Sequence, residues 1–378
     1  MIRKAFTVSS ISIDDVMARF PQLTEVEKIS DEIDILICAA GFEDRVLCVP
    51  GRISESHEKI RKKILVGQYK TNISDNARRY AVLEPLLAGL CEDISFFNAD
   101  SPDCIYKAIS AEISNAGDGV KIGLDISGAS STLIVSAIYT VLNHSVDSHL
   151  TIFYATAESY HEPSLIDRDV PINLWSSCDY REHGVNGVEV NELMPGLHQE
   201  SNPTYVIAFP SMFSARLERC LGHLGVVPKS GSENSAFWVL PSAANDEHEW
   251  RQRQAHSIAI DLVYGTGEDA PVSLPDERWC SCDALDYKGS AKILYGQIDG
   301  NSGSNISIVH LGTKAQAIGV ALALSGRGEV AFVNARPLSF SADTYSQGVG
   351  KLYKLDLGSS RVIKDLLSSV GSLCVKSL

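Results

Sequence analysis

Two stretches decide the fold: Ile35-Leu-Ile-Cys-Ala-Ala-Gly-Phe-Glu-Asp-Arg45 and Val206-Ile-Ala-Phe-Pro-Ser-Met-Phe-Ser-Ala-Arg216. Each is an apolar run that breaks into small residues and reaches an arginine ten positions on, and in that register Phe42 falls on Phe213. Continuous apolar runs of this kind suit strands buried on both faces, the situation in parallel sheets. The likeness extends outward. In both halves a second strand closes on an Asn-containing loop, Ile64-Leu-Val-Gly-Gln-Tyr-Lys-Thr-Asn72 and Phe237-Trp-Val-Leu-Pro-Ser-Ala-Ala-Asn245. Each half then ends in strand, glycine turn, small-residue helix and strand. These are Lys121 to Gly128, Ala129 to Leu142 and Leu150 to Ala155 in the first, and Asn305 to Gly312, Thr313 to Leu324 and Val330 to Asn334 in the second.

The chain therefore reads as one Rossmann-like unit written twice, over residues 34–160 and 205–340. The predicted class is α/β, with two tandem doubly wound parallel sheets. A duplicated unit is a dimer in one chain, and its pseudo-two-fold interface is the natural place for a shared ligand. Between the anchors, Gly51 to Lys63 reads as a crossover helix, basic at its end, with the next strand at Ile64 to Val66. Asp75 to Leu90 and Ser101 to Ser114 carry helical spacing, as does the stretch from about Asp246 to Tyr264. Pro163 to Asn202 is rich in Pro and Gly and reads as an added end strand plus the connection between domains, which are placed at 1–195 and 196–378. Tyr345 to Asp356 reads as a Gly turn entering a strand, and Arg361 to Val370 as a helix.

Composition narrows the function. Of 378 residues, 44% are hydrophobic and 21% charged, which is ordinary for a globular protein. No apolar stretch reaches the ~18 residues needed to span a membrane, and the N-terminus lacks the apolar core of a secretory signal. Nine scattered cysteines look like reduced thiols of a cytoplasmic protein rather than a disulfide framework. The one close pair, Cys280-Ser-Cys282, has no second pair to complete a zinc site and reads as strand. A net charge of −14 argues against coating nucleic acid through its phosphates, but leaves room for a small anion in a local cationic pocket.

Three turns could hold such an anion. Asp125-Ile-Ser127-Gly128-Ala-Ser130-Ser-Thr132 lies where a strand stops and a helix starts, so free N–H groups and hydroxyls meet a favourable dipole; the same residues would also serve as a plain N-cap with close packing. The equivalent turn His310-Leu-Gly312-Thr313-Lys314 adds a lysine at the positive end of a helix, where a bound anion explains it better than helix stability does. With Gly128 aligned on Gly312, Ser130 and Lys314 take equivalent positions. Gly41-Phe-Glu-Asp-Arg45 could bind ribose hydroxyls and phosphate or hold Mg²⁺, or could be a helix start in which Arg45 pairs with a neighbouring carboxylate; Arg216 recurs at the matching place. Tyr160-His161-Glu162 and Arg336-Pro337 follow the last core strands and could line the same cleft. No Walker A, G-x-G-x-x-G or G-x-S-x-G pattern occurs, so no dinucleotide cofactor is implied.

Asp125-Ile-Ser-Gly-Ala-Ser-Ser131 resembles the signature of the CRISPR-associated Rossmann-fold sensor domains: Asp125, Ser127 and Gly128 match, and Ala129 replaces a second Gly. Gly312, Thr313 and Lys314 supply what the first copy lacks. Two such units in one chain are also similar to the SAVED sensors of bacterial antiphage systems. The resemblance implies recognition of a cyclic oligonucleotide or related nucleotide across the pseudo-dimer cleft, with a separate effector protein as partner. The leading expectation is a sensor of a nucleotide or phosphorylated small molecule. The alternatives are a phosphodiesterase or other hydrolase or transferase using that cleft, and a subunit whose duplicated sheets serve assembly alone.

Overall fold

A computed structural model describes residues 6–160, 182–228, 234–243, 248–265, 273–371 and 373–377. After β1 (Phe6–Ser10), α1 (Ile13–Ala18) and β2 (Thr24–Glu25), the first unit alternates strand and helix. It runs β3 (Ile33–Ala40), α2 (Cys48–Glu55), β4 (Ile60–Gln68), α3 (Ile73–Leu90), β5 (Ile94–Asn98), α4 (Pro102–Ala116), β6 (Val120–Asp125), α5 (Ser131–Asn143) and β7 (Ser148–Ala155). After β8 (Glu182–Pro195) the second unit repeats the cycle. It runs β9 (Thr204–Phe209), α6 (Ser214–His223), β10 (Ser235–Ser242), α7 (Glu249–Tyr264), β11 (Trp279–Asp283), α8 (Tyr287–Gly300), β12 (Asn305–His310), α9 (Lys314–Gly326) and β13 (Ala331–Phe340). The chain closes with α10 (Ala342–Tyr345), β14 (Leu352–Ser359), α11 (Ser360–Ser368) and β15 (Leu373–Ser377), the last paired with β1.

The two units share one topology. Parallel strands lie in the order β5-β4-β3-β6-β7 in one sheet and β11-β10-β9-β12-β13 in the other. In order of appearance each is 3-2-1-4-5, the doubly wound arrangement whose crevice opens where the order reverses, beyond the carboxyl ends of the first and fourth strands. The chain is thus α/β with two Rossmann-like units, one sheet of seven strands and one of six.

The strand after each fifth strand leaves its own unit. β8 follows β7 in sequence but lies antiparallel beside β13, and β14 follows β13 but lies antiparallel beside β7. The units exchange their edge strands reciprocally. A cut at 195/196 therefore does not separate the sheets, because residues 182–195 belong to the second and 352–359 to the first. Alternation marks 352–357 as a strand with Leu352, Leu355 and Leu357 buried, but local pattern carries no information about which sheet receives it.

The core is continuous between units. α5 and α9 pack on each other, and α11 packs on both. That is why α5 and α9 are apolar almost all round: each is covered by its own sheet and by its twin. Gly319 in α9 permits the approach of α8, since a Cβ there would stand 2.3 Å from the Tyr287 carbonyl oxygen.

The first crossover helix departs from the sequence expectation. β4 begins at Ile60, and α2 ends at Glu55, so Arg61 to Lys63 of the basic run are strand rather than helix face, and Lys59 precedes the strand. Its charges are met from other elements. Arg61 pairs with Glu32, and Lys63 pairs with Asp93 at 2.8 Å. Asn245, His161 and Glu162 lie outside the described residues, as does the start of the expected 246–264 helix, which is seen from Glu249.

Candidate functional site

Both strand-to-helix turns sit at the unit interface, and each is internally braced. In the first, the Asp125 carboxylate accepts the Ser127 N–H at 2.8 Å, and the Ser127 hydroxyl oxygen accepts the Ala155 N–H at 2.9 Å. Both residues are fully buried behind the turn. Burial pushes the Asp125 carboxyl up to about 6, against the pull of the Ser127 hydrogen bond, Lys314 and Arg45. Asp125 and Ser127 are therefore struts and do not line the cleft. Ser130 caps α5, accepting the Leu133 N–H at 3.2 Å, and gives its own N–H to the Tyr69 hydroxyl at 2.8 Å. Gly128 is dictated by close approach, since a Cβ would fall 2.5 Å from Val46 Cγ1.

In the second turn Thr313 and Gln316 form a reciprocal capping box on α9, with bonds of 3.1 and 3.2 Å. The N–H groups of Ser130, Leu133, Thr313 and Gln316 are thus used inside the protein. Part of each helix start is therefore committed to its own cap, and four cationic side chains of the second unit line the cavity beside the turns. The caps also reset the alignment. Ser130 matches Thr313, so Lys314 corresponds to Ser131 and not to Ser130. The first turn is longer between strand end and cap, Asp125 to Ser130 against His310 to Thr313, and a glycine-on-glycine alignment hides this.

The two matched residues reach across the pseudo-dyad. The Ser131 hydroxyl bonds His310 Nδ1 at 2.9 Å, and the Lys314 ammonium donates to the Ala129 carbonyl. Asn334 adds a third link, donating to the Thr132 hydroxyl at 2.9 Å. Burial holds the His310 imidazole neutral, with its pKa lowered to about 3. Burial and the nearby Arg45 charge bring Lys314 down to about 8.

Between the turns lies a cavity of about 900 Å³. Gly41, Arg45, Gly128, Ser130, Arg216, Gly312, Thr313 and Lys314 all line it, as do Tyr160 and Arg336. Arg45 is 3% exposed. Its Nη2 donates to Glu43 Oε1 at 2.7 Å and its Nε to Glu43 Oε2, which leaves Nη1 buried with no partner. Burial works against the Arg45 charge, and the Glu43 carboxylate more than restores it. Arg251 lies over the Tyr160 ring at 3.7 Å. Burial raises the Tyr160 phenol, but Arg45 and Arg251 outweigh it and the net shift is downward. Phe42, Phe340 and Tyr345 form a ring cluster at the wall, with centroids 5.2–5.8 Å apart.

The wall is uneven in charge. The second unit contributes Arg216, Arg251, Lys314 and Arg336 and no carboxylate among the described residues. The first sheet and its return strand contribute Arg45 and Lys351 against Glu43, Asp100 and Glu158. Sequence reasoning misses Tyr69, Asn76, Asp100 and Arg251. All four follow the second or third strand of a unit, where no motif marks them. Among the described residues no cluster of three His, Cys, Asp or Glu could hold a metal ion, and no helix is long and apolar enough to cross a membrane.

No protein-family model and no curated protein matches the chain. Among solved structures it is similar to EvdMO1, at 14% identity over 45% of this chain and 34% of that one, with a TM-score of 0.18. It is also similar to the cytoplasmic domain of a prokaryotic cation chloride cotransporter, at 8% identity over 83% of this chain and 99% of that one, with a TM-score of 0.22. The chain spans about a third of EvdMO1. Likenesses this low carry nothing to the site.

Proposed function

We propose that this chain is a sensor that binds a nucleotide or another phosphorylated small molecule between its two units and passes the bound state to a separate effector protein. The observation that carries the reading is the sign of the cavity. In a chain of net charge −14, its described wall holds six Arg and Lys residues against three carboxylates, and two of the six, Arg336 and Lys351, also pair with Glu189 and Glu25 outside the wall. Such a pocket focuses a positive local field inside an acidic protein. Arg45 supports the reading, because Glu43 orients its guanidinium and leaves Nη1 to a ligand. The likeness of Asp125 to Ser131 to antiphage sensors points the same way, and with it a role in bacterial defence. Transmission has a physical route: a ligand touching both turns bears on the α5–α9 contact and on the α11 helix laid across it.

A second reading, a metal-independent phosphodiesterase, is favoured by one group. Tyr160, with its phenol brought down beside Arg45 and Arg251, is suited to take a proton from a nucleophile. Among the described residues no acid is paired with it; Glu43 is committed to Arg45, and Asp125 is sealed behind the turn. The test is mass spectrometry of small molecules released from the purified protein. An anionic species that co-purifies with the wild type and is lost from Lys314→Ala supports binding. Recovery of only its cleavage products, with intact ligand returning in Tyr160→Phe, favours the phosphodiesterase. Absence of any anion, with no melting shift across a nucleotide panel, overturns both.

A further inference from the structure

We infer that the cavity imposes a direction on its ligand: an anionic, phosphate-like end against the second unit and a neutral, donor-rich end, of the kind a nucleoside presents, against the first. The inference rests on the anionic-ligand reading above and goes past it by excluding ligands that are two-fold symmetric.

The units build the two sides of the cavity from the same elements and fill them with different chemistry. Helices α3 and α7 follow the second strands and start at Ile73 and Glu249, so Asn76 and Gln252 hold the same helical place. Gln252 is satisfied, its Oε1 accepting the Ala243 N–H at 2.8 Å. Asn76 is 8% exposed and donates Nδ2 to the Thr71 carbonyl at 2.7 Å, which leaves Oδ1 buried, at the cavity wall and without a donor. A buried acceptor with no donor carries a desolvation cost that a ligand hydroxyl or amino group would remove. Past the third strands the contrast is of charge. Two residues after β5 stands Asp100, and two residues after β11 stands Leu285; both line the cavity. Asp100 also accepts the Lys70 N–H at 2.8 Å, which fixes its carboxylate.

The first end therefore offers the Asn76 acceptor and the fixed Asp100 carboxylate, with the charge of its own Arg45 met by Glu43. The second end offers Arg251, whose guanidinium lies over Tyr160 and donates Nε to Met212 Sδ at 3.4 Å, with no carboxylate on it among the described residues. A phosphate placed at the first end meets Asp100; the same phosphate at the second end meets Arg251, with Lys314 in the same cavity. A symmetric bis-anion cannot satisfy both ends, whereas a nucleoside polyphosphate can.

The experiment is isothermal titration of the full chain with three kinds of probe: the four ribonucleoside triphosphates, inorganic pyrophosphate, and cyclic di-AMP as a two-fold-symmetric bis-anion. At least one triphosphate should bind more tightly than pyrophosphate, and cyclic di-AMP more weakly than that triphosphate. Arg251→Gln should weaken triphosphate and pyrophosphate together. Asp100→Asn, which keeps an oxygen for the Lys70 N–H, should weaken the triphosphate roughly five- to tenfold and leave pyrophosphate unchanged. Asp100→Lys should raise affinity for cyclic di-AMP. The inference is overturned if cyclic di-AMP binds the wild type as well as any triphosphate, or if Asp100→Asn and Arg251→Gln affect every probe alike. If neither pyrophosphate nor any nucleotide binds the wild type, the anionic-ligand reading itself fails, which is a distinct result.

Discussion

The first and second units have the same strand order and differ in how they treat charge. In the first, the arginine after the opening strand is sealed in a pair with Glu43, and the turn hides a carboxylate, Asp125. In the second, the residue at the place of Glu43 is Ser214, the turn carries Lys314, and the strand end carries a neutral histidine. Duplication keeps the frame because each strand and helix must still bury the same faces. It frees the turns, because a capped helix start tolerates Ser or Lys at its first position with a penalty of at most ~1 kcal/mol. One half has become a rigid, internally neutralised wall and the other the cationic one.

The largest test of this contrast removes the two arginines in turn. Arg45→Ala should destabilise the fold by about 3–5 kcal/mol in urea melts, because Glu43 is left buried without its partner. Arg216→Ala, at a half-buried position where the guanidinium reaches the Ala335 carbonyl at 3.5 Å, should cost less, because no buried carboxylate such as Glu43 stands two residues before it. Equal losses would mean the units handle their arginines alike.

Asp125 gives the next effect, of opposite sign. Its folded pKa of about 6 lies above the ordinary carboxylate value, so the folded state holds its proton more firmly than the unfolded chain does. Stability from this group is full at low pH and is lost as pH rises through about 6. Asp125→Asn keeps an oxygen for the Ser127 N–H and should stabilise the free protein at pH 7.5 by on the order of 2–3 kcal/mol. The gain should fade toward pH 4. Thermal melts at the two pH values check it, and a loss at pH 7.5 would show that the charge is needed to hold Lys314.

For Lys314 the readout is binding. Lys314→Ala should weaken an anionic ligand ten- to a hundredfold, at 1.4 kcal/mol per decade for a charge-assisted bond of about 1.5–3 kcal/mol. Because its pKa in the free protein is about 8, affinity should hold below that pH and fall as pH rises past it. Lys314→Arg should bind without that fall. Titrations at pH 7 and 9.5 separate the cases.

The smallest effect concerns the matched residue in the other half. Ser131→Ala should cost about 1–2 kcal/mol, by leaving His310 Nδ1 buried without a partner, and should leave anion binding nearly unchanged. A binding loss as large as that of Lys314→Ala would make the two first positions functionally equivalent after all.

Most of the frame is legible in the sequence, since long apolar runs at 33–40 and 204–209 and the small-residue helices at 131–143 and 314–326 have no other economical burial. What escapes is set by distant partners. Lys59 to Lys63 looks like a helix face because Glu32 and Asp93 are far away in the chain. Helix α8 is masked by Gly289, Gly296 and Gly300. Of the site, the arginines, the glycines and Lys314 can be found from the repeat. Tyr69 cannot, because its role as acceptor for the Ser130 N–H spans 61 residues, and Arg251 cannot, because it stands on an ordinary helix.

The traded edge strands make this chain inseparable. A protein cut at residue 196 would leave each fragment holding a strip that belongs to the other and a raw sheet edge where its own should be, an invitation to aggregate. Neither fragment should be recoverable alone, while the two expressed together should reunite. Melting of the whole should be a single event, with no half-folded stage in which one sheet outlives the other.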